Sequence, residues 1–259
     1  MPMWLKTGGT WRSVSPPWVK TGGTWRAIIG GWCKTGGVWR KFYGSSGAPI
    51  SIDYVTSGDV VVPAGYTKAD MMCIGGGAAG GTYTASNAVH GGGGGGASSL
   101  TPNIAVTGGE TLTLYVATQS AASSNSSPVG GYGTAVNRGG TQLILAVGGA
   151  GTANTTGGAG GAAASCVGTT RYSGGAGNSG SSNGNNGGGG GAAGATANGG
   201  GAPNQNGGGG NPPGGSGGVA VGTSVARNGL SYGGGGGGGN STSNGGRGAP
   251  GLIRITWHN

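Results

Sequence analysis

Much of this chain has no side chains with which to build a core. Glycine fills 73 of its 259 positions, and it comes in blocks. They read GGGAAGG (75–81), GGGGGGA (91–97), GGAGGAAA (157–164), GGAG (174–177), GGGGGAAGA (187–195), GGG (199–201), GGGG (207–210), GGSGG (214–218) and GGGGGGG (233–239). Collagen needs glycine at every third position, and runs of seven have no such period. Disordered chains are usually rich in charge, whereas only 7% of these residues are charged. A third solution follows from the backbone. An extended polyproline-II-like helix makes no internal hydrogen bonds, so its N–H and C=O groups all point outward. Without Cβ atoms in the way, such helices can approach and bond one another on several sides. The expected fold is therefore mostly irregular and glycine-rich: a sandwich of packed polyglycine-II helices with a few short β-strands. A block of seven would span about 20 Å.

Residues 1–43 form a different unit. WLKTGGTWR (4–12) returns as WVKTGGTWR (18–26) and WCKTGGVWR (32–40). Trp4, Trp11, Trp18, Trp25, Trp32 and Trp39 recur every seven residues. A heptad helix is ruled out by the TGG of each repeat and by Pro16–Pro17. Each repeat reads as a small Trp-rich β-hairpin, strand–turn–strand. The unit carries Lys6, Arg12, Lys20, Arg26, Lys34, Arg40 and Lys41 and no acid, so most of the net charge of +9 sits here. That pattern suits docking on a protein; nucleic acid or glycan and a merely solvated basic face are the competing readings. Three similar units suit a three-fold partner.

Residues 44–49 read as a linker, and 50–259 as the glycine-helix domain. Ser51–Val55, Asp59–Val62, Thr111–Val116, Gln142–Val147 and Leu252–Trp257 read as short strands. They are too few and too far apart for a β-sandwich, and are expected to form an apolar floor under the glycine lattice. Between the blocks lie TYTASNAVH (82–90), SAASSNSSPVGGYG (120–133), SCVGTTRY (165–172), NSGSSNGNN (178–186), APNQN (202–206) and VAVGTSVARNGLSY (219–232). These are expected to be loops at the slab ends, where recognition usually lives. Tyr83, His90, Tyr132, Arg171, Tyr172, Arg227, Leu230 and Tyr232 are the candidate receptor-binding residues, since a Tyr/Ser/Gly/Asn composition suits a binding surface. The purely polar 178–186 and 202–206 read chiefly as turns.

Catalytic chemistry is absent. G-x-G-x-x-G matches have no strand-to-helix context, and no Gly-Lys pair exists for a P-loop. Gly214–Gly218 fits G-x-S-x-G, and His90 precedes six glycines, but no helix follows Ser216. Asp53, Asp59, Asp70 and Glu110 make no acid/base couple by spacing. Cys33, Cys73 and Cys166 show no metal pattern and fit free thiols. No cofactor and no metal are expected. No signal peptide is evident, and no apolar run approaches about 20 residues.

The triple W-x-K-T-G-G-x-W-R, then SGDVVVPAG (57–65), then long glycine blocks ending in LIRITW (252–257), resembles the receptor-binding adhesins at the tips of the long tail fibres of T-even-like bacteriophages, especially those infecting Salmonella. The resemblance implies a virion protein at the distal fibre tip, one copy per tip. It implies that the six Trp with Lys6, Lys20, Lys34, Arg12, Arg26 and Arg40 attach it to a trimeric long tail-fibre protein. It also implies a polyglycine-II bundle whose end loops bind a host outer-membrane protein of porin-like kind, with no nucleic acid partner and no enzymatic activity. The competing readings are a structural glycine protein, such as an ice-binding or fibre-forming slab, and a fibre-assembly chaperone.

Overall fold

The computed structural model describes the chain apart from residues 1–2, 8–9, 15–17, 22, 28–29, 36–37, 45–47, 83–88, 123–128, 153–154, 182–184, 221–225 and 240–243; the strands within residues 3–44 are described by their backbone. The chain divides into two compact units, Met1–Ala48 and Pro49–Asn259. Nearly all regular structure is strand. Among the described residues the helical content is one 3-10 turn, Ala163–Ser165.

The first unit holds β1 (Met3–Thr7), β2 (Thr10–Val14), β3 (Trp18–Thr21), β4 (Thr24–Ala27), β5 (Gly30–Thr35) and β6 (Val38–Gly44). They pair antiparallel two by two. The sequence repeat is also a register repeat: Lys6 is the partner of Trp11, Lys20 of Trp25 and Lys34 of Trp39. Most of the TGG turn residues lie outside the described residues.

The second unit begins with two sheets. β7 (Ile50–Tyr54), β9 (Lys68–Ile74), β10 (Ser98–Ala105), β14 (Thr170–Tyr172) and β15 (Leu252–His258) form one, in the order β14-β10-β9-β15-β7. β8 (Gly58–Val61), β11 (Thr111–Tyr115), β12 (Thr134–Arg138) and β13 (Thr141–Ala146) form the other, in the order β13-β12-β11-β8. Gly139 and Gly140, both at positive φ, make the two-residue turn between β12 and β13.

The expectation of an apolar floor without a sandwich is corrected here. Met71, Cys73, Ile253, Ile255 and Trp257 of the first sheet pack with Leu112, Leu114, Val136 and Ile144 of the second in one buried cluster. Two sheets face each other across a real core, with the seventh Trp, Trp257, wholly buried in it. The other side of β9 is buried too. Met72 and Ile74 join Leu252 and Ala192 in a second cluster, where the first sheet meets a glycine block.

From the sheets the chain runs out and back. It leaves β9 as 75–81 and returns as 91–97 into β10. The two runs are tied by N–H donation from Gly75 to Ala97 O, Ala78 to Gly94 O and Gly81 to Gly91 O. Residues 91–97 then donate in three directions in rotation. Gly92 and Gly95 reach Asn178 and Gly175; Gly93 and Gly96 reach Gly236 and Gly233; Gly94 and Ala97 reach Ala150 and Val147. Their carbonyls, with that of His90, accept from 75–81, from Gly158 and Gly161, and from Gly187, Gly190 and Ala193. All these N···O distances lie between 2.7 and 3.1 Å. One extended run thus bonds to neighbours on every side. Runs 187–193 and 233–239 have the same surroundings, are bonded to 91–97 and to each other, and are buried throughout. Ala192 fits because it meets apolar side chains of the sheet in place of backbone.

Candidate functional site

The out-and-back course gives the second unit two ends. The chain reverses near the sheets at 162–173, 194–199, 211–214 and 230–233. It reverses at the far end between 81 and 91, 120 and 129, 151 and 157, 178 and 187, 202 and 207, 218 and 227, and 239 and 245. The hydrogen bonds set this order: 187–193 donates to 90–96 in step, hence runs parallel to it, while 233–238 pairs with 91–97 in reverse.

The candidate receptor residues are divided between these ends. Arg171 and Tyr172 belong to β14, an edge strand of the first sheet, and Arg171 Nη1 donates to Cys166 O at 3.1 Å. Tyr132 is 60% exposed on the run that enters β12. Leu230, 62% exposed, and Tyr232, packed in part on the cluster around Ile74, make the reversal at 230–233. All five sit toward the sheets. Arg227 is exposed where its run begins at the far end. Tyr83 lies outside the described residues. Segments 165–172 and 219–232 are therefore not single end loops. The first contributes a strand. The second crosses the slab, because Gly237 donates to Arg227 O, Leu230 donates to Ser216 O and Gly229 donates to Arg247 O.

His90 differs most from expectation. Its side chain is 2% exposed, its N–H donates to Asn186 Oδ1 at 3.0 Å, and its carbonyl accepts from Gly187. Desolvation lowers its pKa. It belongs to the lattice and offers no surface to a partner.

Other titratable groups are also structural. Arg254 clasps Asp53 with Nε and Nη2 across β15 and β7, at 2.6 and 2.7 Å, and that bond lowers the Asp53 pKa. Burial pushes up the thiols of Cys73 and Cys166, both free and buried. Ser216 of the G-x-S-x-G match accepts from Gly210 N–H at 3.2 Å as part of an extended run. Among the described residues no group of three or more His, Cys, Asp or Glu could hold a metal, and no helix is long and apolar enough to cross a membrane.

What the sequence reading passed over is polar. Residues 178–181 and 185–186 meet 204–206 at the far end around a cavity of about 290 Å³. The amide density of NSGSSNGNN and APNQN was the signal available for it. Arg247, exposed beside the 227–230 run, was passed over as well. Residues 54–258 match the family model of a glycine-rich domain. No curated protein matches the chain.

Proposed function

We propose that this chain, which belongs to the glycine-rich domain family, is a non-enzymatic adhesin. It would cap a trimeric tail fibre through its N-terminal Trp repeats and bind a host outer-membrane protein through its far-end connections. On this reading the glycine runs are polyglycine-II helices. The support for that is the rotation of donors through three directions, in which residues three apart address the same neighbour. The observation that carries the functional reading is the set of reversals gathered at the end remote from the sheets, on a scaffold whose interior bonds run mostly from backbone to backbone. Connections carried by a rigid frame are free to recognise without holding the fold together. The basic, Trp-bearing first unit, with one register repeated three times, supports attachment to a partner built of three equal chains.

The test is adsorption of purified, labelled chain, joined to its fibre partner, to intact Gram-negative cells before and after mild protease shaving. Saturable binding that shaving removes is the expected result. Binding that survives shaving, or its absence from every host on which the parent virion plates, would reject the protein-receptor reading. Presence in assembly mixtures but not in purified virions would favour the chaperone reading.

A further inference from the structure

We propose that the far-end cavity between 178–181, 185–186 and 204–206 is a binding site for a neutral saccharide. The cavity measures about 290 Å³, close to the lower limit of roughly 300–1,000 Å³ for small-molecule sites, and suits one sugar ring better than a chain. Every described lining residue bears an amide or a hydroxyl: Asn178, Ser179, Asn185, Asn204 and Gln205 among them. None is charged and none is apolar. A phosphate or carboxylate would find no cation there, an ammonium no acid, and an apolar side chain no apolar wall. The ligand that such a wall fits carries uncharged donors and acceptors on all sides, which is the surface of a sugar ring.

The wall is also held in place. Asn178 N–H donates to Gly188 O and Gly188 N–H to Asn204 O, each at 2.8 Å, so both rims are fixed to the same buried run. Gln205 O accepts from Ala220 N–H, and Ser181 N–H donates to Asn185 O, each at 2.8 Å. The side chains use part of their capacity on one another. Gln205 Nε2 donates to Asn185 Oδ1 at 2.8 Å, Asn204 Oδ1 accepts from Asn206 N–H at 2.9 Å, and Asn178 Nδ2 donates to Ala202 O at 3.2 Å. Asn185 Nδ2, Asn204 Nδ2 and Gln205 Oε1 are left without a partner among the described residues. Two donors and an acceptor, pre-positioned on a backbone-bonded frame, match vicinal hydroxyls, each of which both gives and takes a hydrogen bond. Among the described residues no aromatic ring lines the cavity, so stacking adds nothing and the expected affinity for one ring is weak, roughly millimolar. This chemistry stands whether or not the chain is an adhesin.

Saturation-transfer NMR on the full chain tests it, with glucose, galactose, mannose and N-acetylglucosamine as probes and glucosamine, glucuronic acid and triglycine as controls. The expected result is saturable, salt-insensitive transfer to at least one neutral sugar. It should weaken about ten-fold or more in the Asn185→Ala/Gln205→Ala double variant, the loss of about two hydrogen bonds. Asn204→Asp, which adds a negative wall without removing volume, should turn preference toward glucosamine. Transfer to none of the neutral sugars at tens of millimolar, equal transfer in the double variant, unchanged selectivity in Asn204→Asp, or preference for triglycine would each overturn the site. Competition of the bound sugar against lipopolysaccharide-coated beads then separates a surface glycan from free sugar as the source.

Discussion

Gly190 and Gly209 both lie in runs whose backbones bond to their neighbours, yet a methyl group would meet different surroundings at each. At Gly190 an added Cβ collides with the carbonyl of Gly175, a backbone group that cannot rotate away; at Gly209 it finds nothing within 4 Å. Gly190→Ala should therefore cost about 1–3 kcal/mol or more, as overpacking does. Gly209→Ala should be neutral or stabilise by about 0.4–1 kcal/mol, because the unfolded chain loses freedom. Thermal melts of the two variants check this, and equal losses would contradict a lattice set by close backbone approach. His90 supplies a pH dependence. Its pKa is lowered in the fold by desolvation, so below the ordinary value near 6.5 the unfolded chain takes up a proton that the folded chain refuses. Its contribution is complete above about pH 6.5 and is lost as pH falls toward the lowered folded value. Melting curves from pH 8 to pH 5 should show a decline that His90→Asn flattens; an unchanged slope in the variant would assign the decline to other groups.

The stretch 219–232 joins a far-end connection, a lattice run and a near-end reversal in series, and its parts have different duties. Exchanging Arg227 alone for Ser should leave the melting temperature unchanged, since its side chain is exposed and its backbone bonds are kept. Exchanging all of 226–232 for Gly/Ser residues should lower it, since Tyr232 packs in part on the Ile74 cluster and Asn228 Oδ1 accepts from Arg247 N–H at 2.8 Å. Calorimetry on the two variants decides, and equal melting temperatures would deny those two side chains a part in holding the run. The sequence reading merged these parts because nothing local marks where a run ends: a glycine's partner here lies on average far along the chain, as Gly93 pairs with Gly236. The same cause explains β9. KADMMCI shows no alternation of apolar and polar residues, because Met71 and Cys73 face one cluster and Met72 and Ile74 the other. Strands with one wet face, such as Leu112 and Leu114 in β11, were legible. The glycine blocks and the threefold Trp repeat announced themselves by composition and spacing. The polar cavity did not, because Asn185 and Gln205 come together only when 174–178, 187–193 and 200–204 lie side by side.

At the scale of the molecule the two halves of the second unit need each other. Ordering a residue costs about 1–2 kcal/mol, most for glycine, and a backbone hydrogen bond returns about 0.5–1.5 kcal/mol net. A bundle of glycine runs therefore gains little by itself. The sandwich anchors it: Trp257, Ile253 and Ile255 bury side chains that the runs lack, and Met72, Ile74 and Leu252 join sheet to lattice at Ala192. The crowded interior of that lattice also governs how such a chain can change over generations. No residue is smaller than glycine, so every replacement in 91–96, 187–191 or 233–238 adds atoms where carbonyl oxygens already stand. Drift is closed there, and neutral exchange among similar residues, which lets ordinary cores diverge, has no counterpart. Inherited variation would be channelled into the far-end connections, where residues could be gained, lost or exchanged on a frame that stays the same.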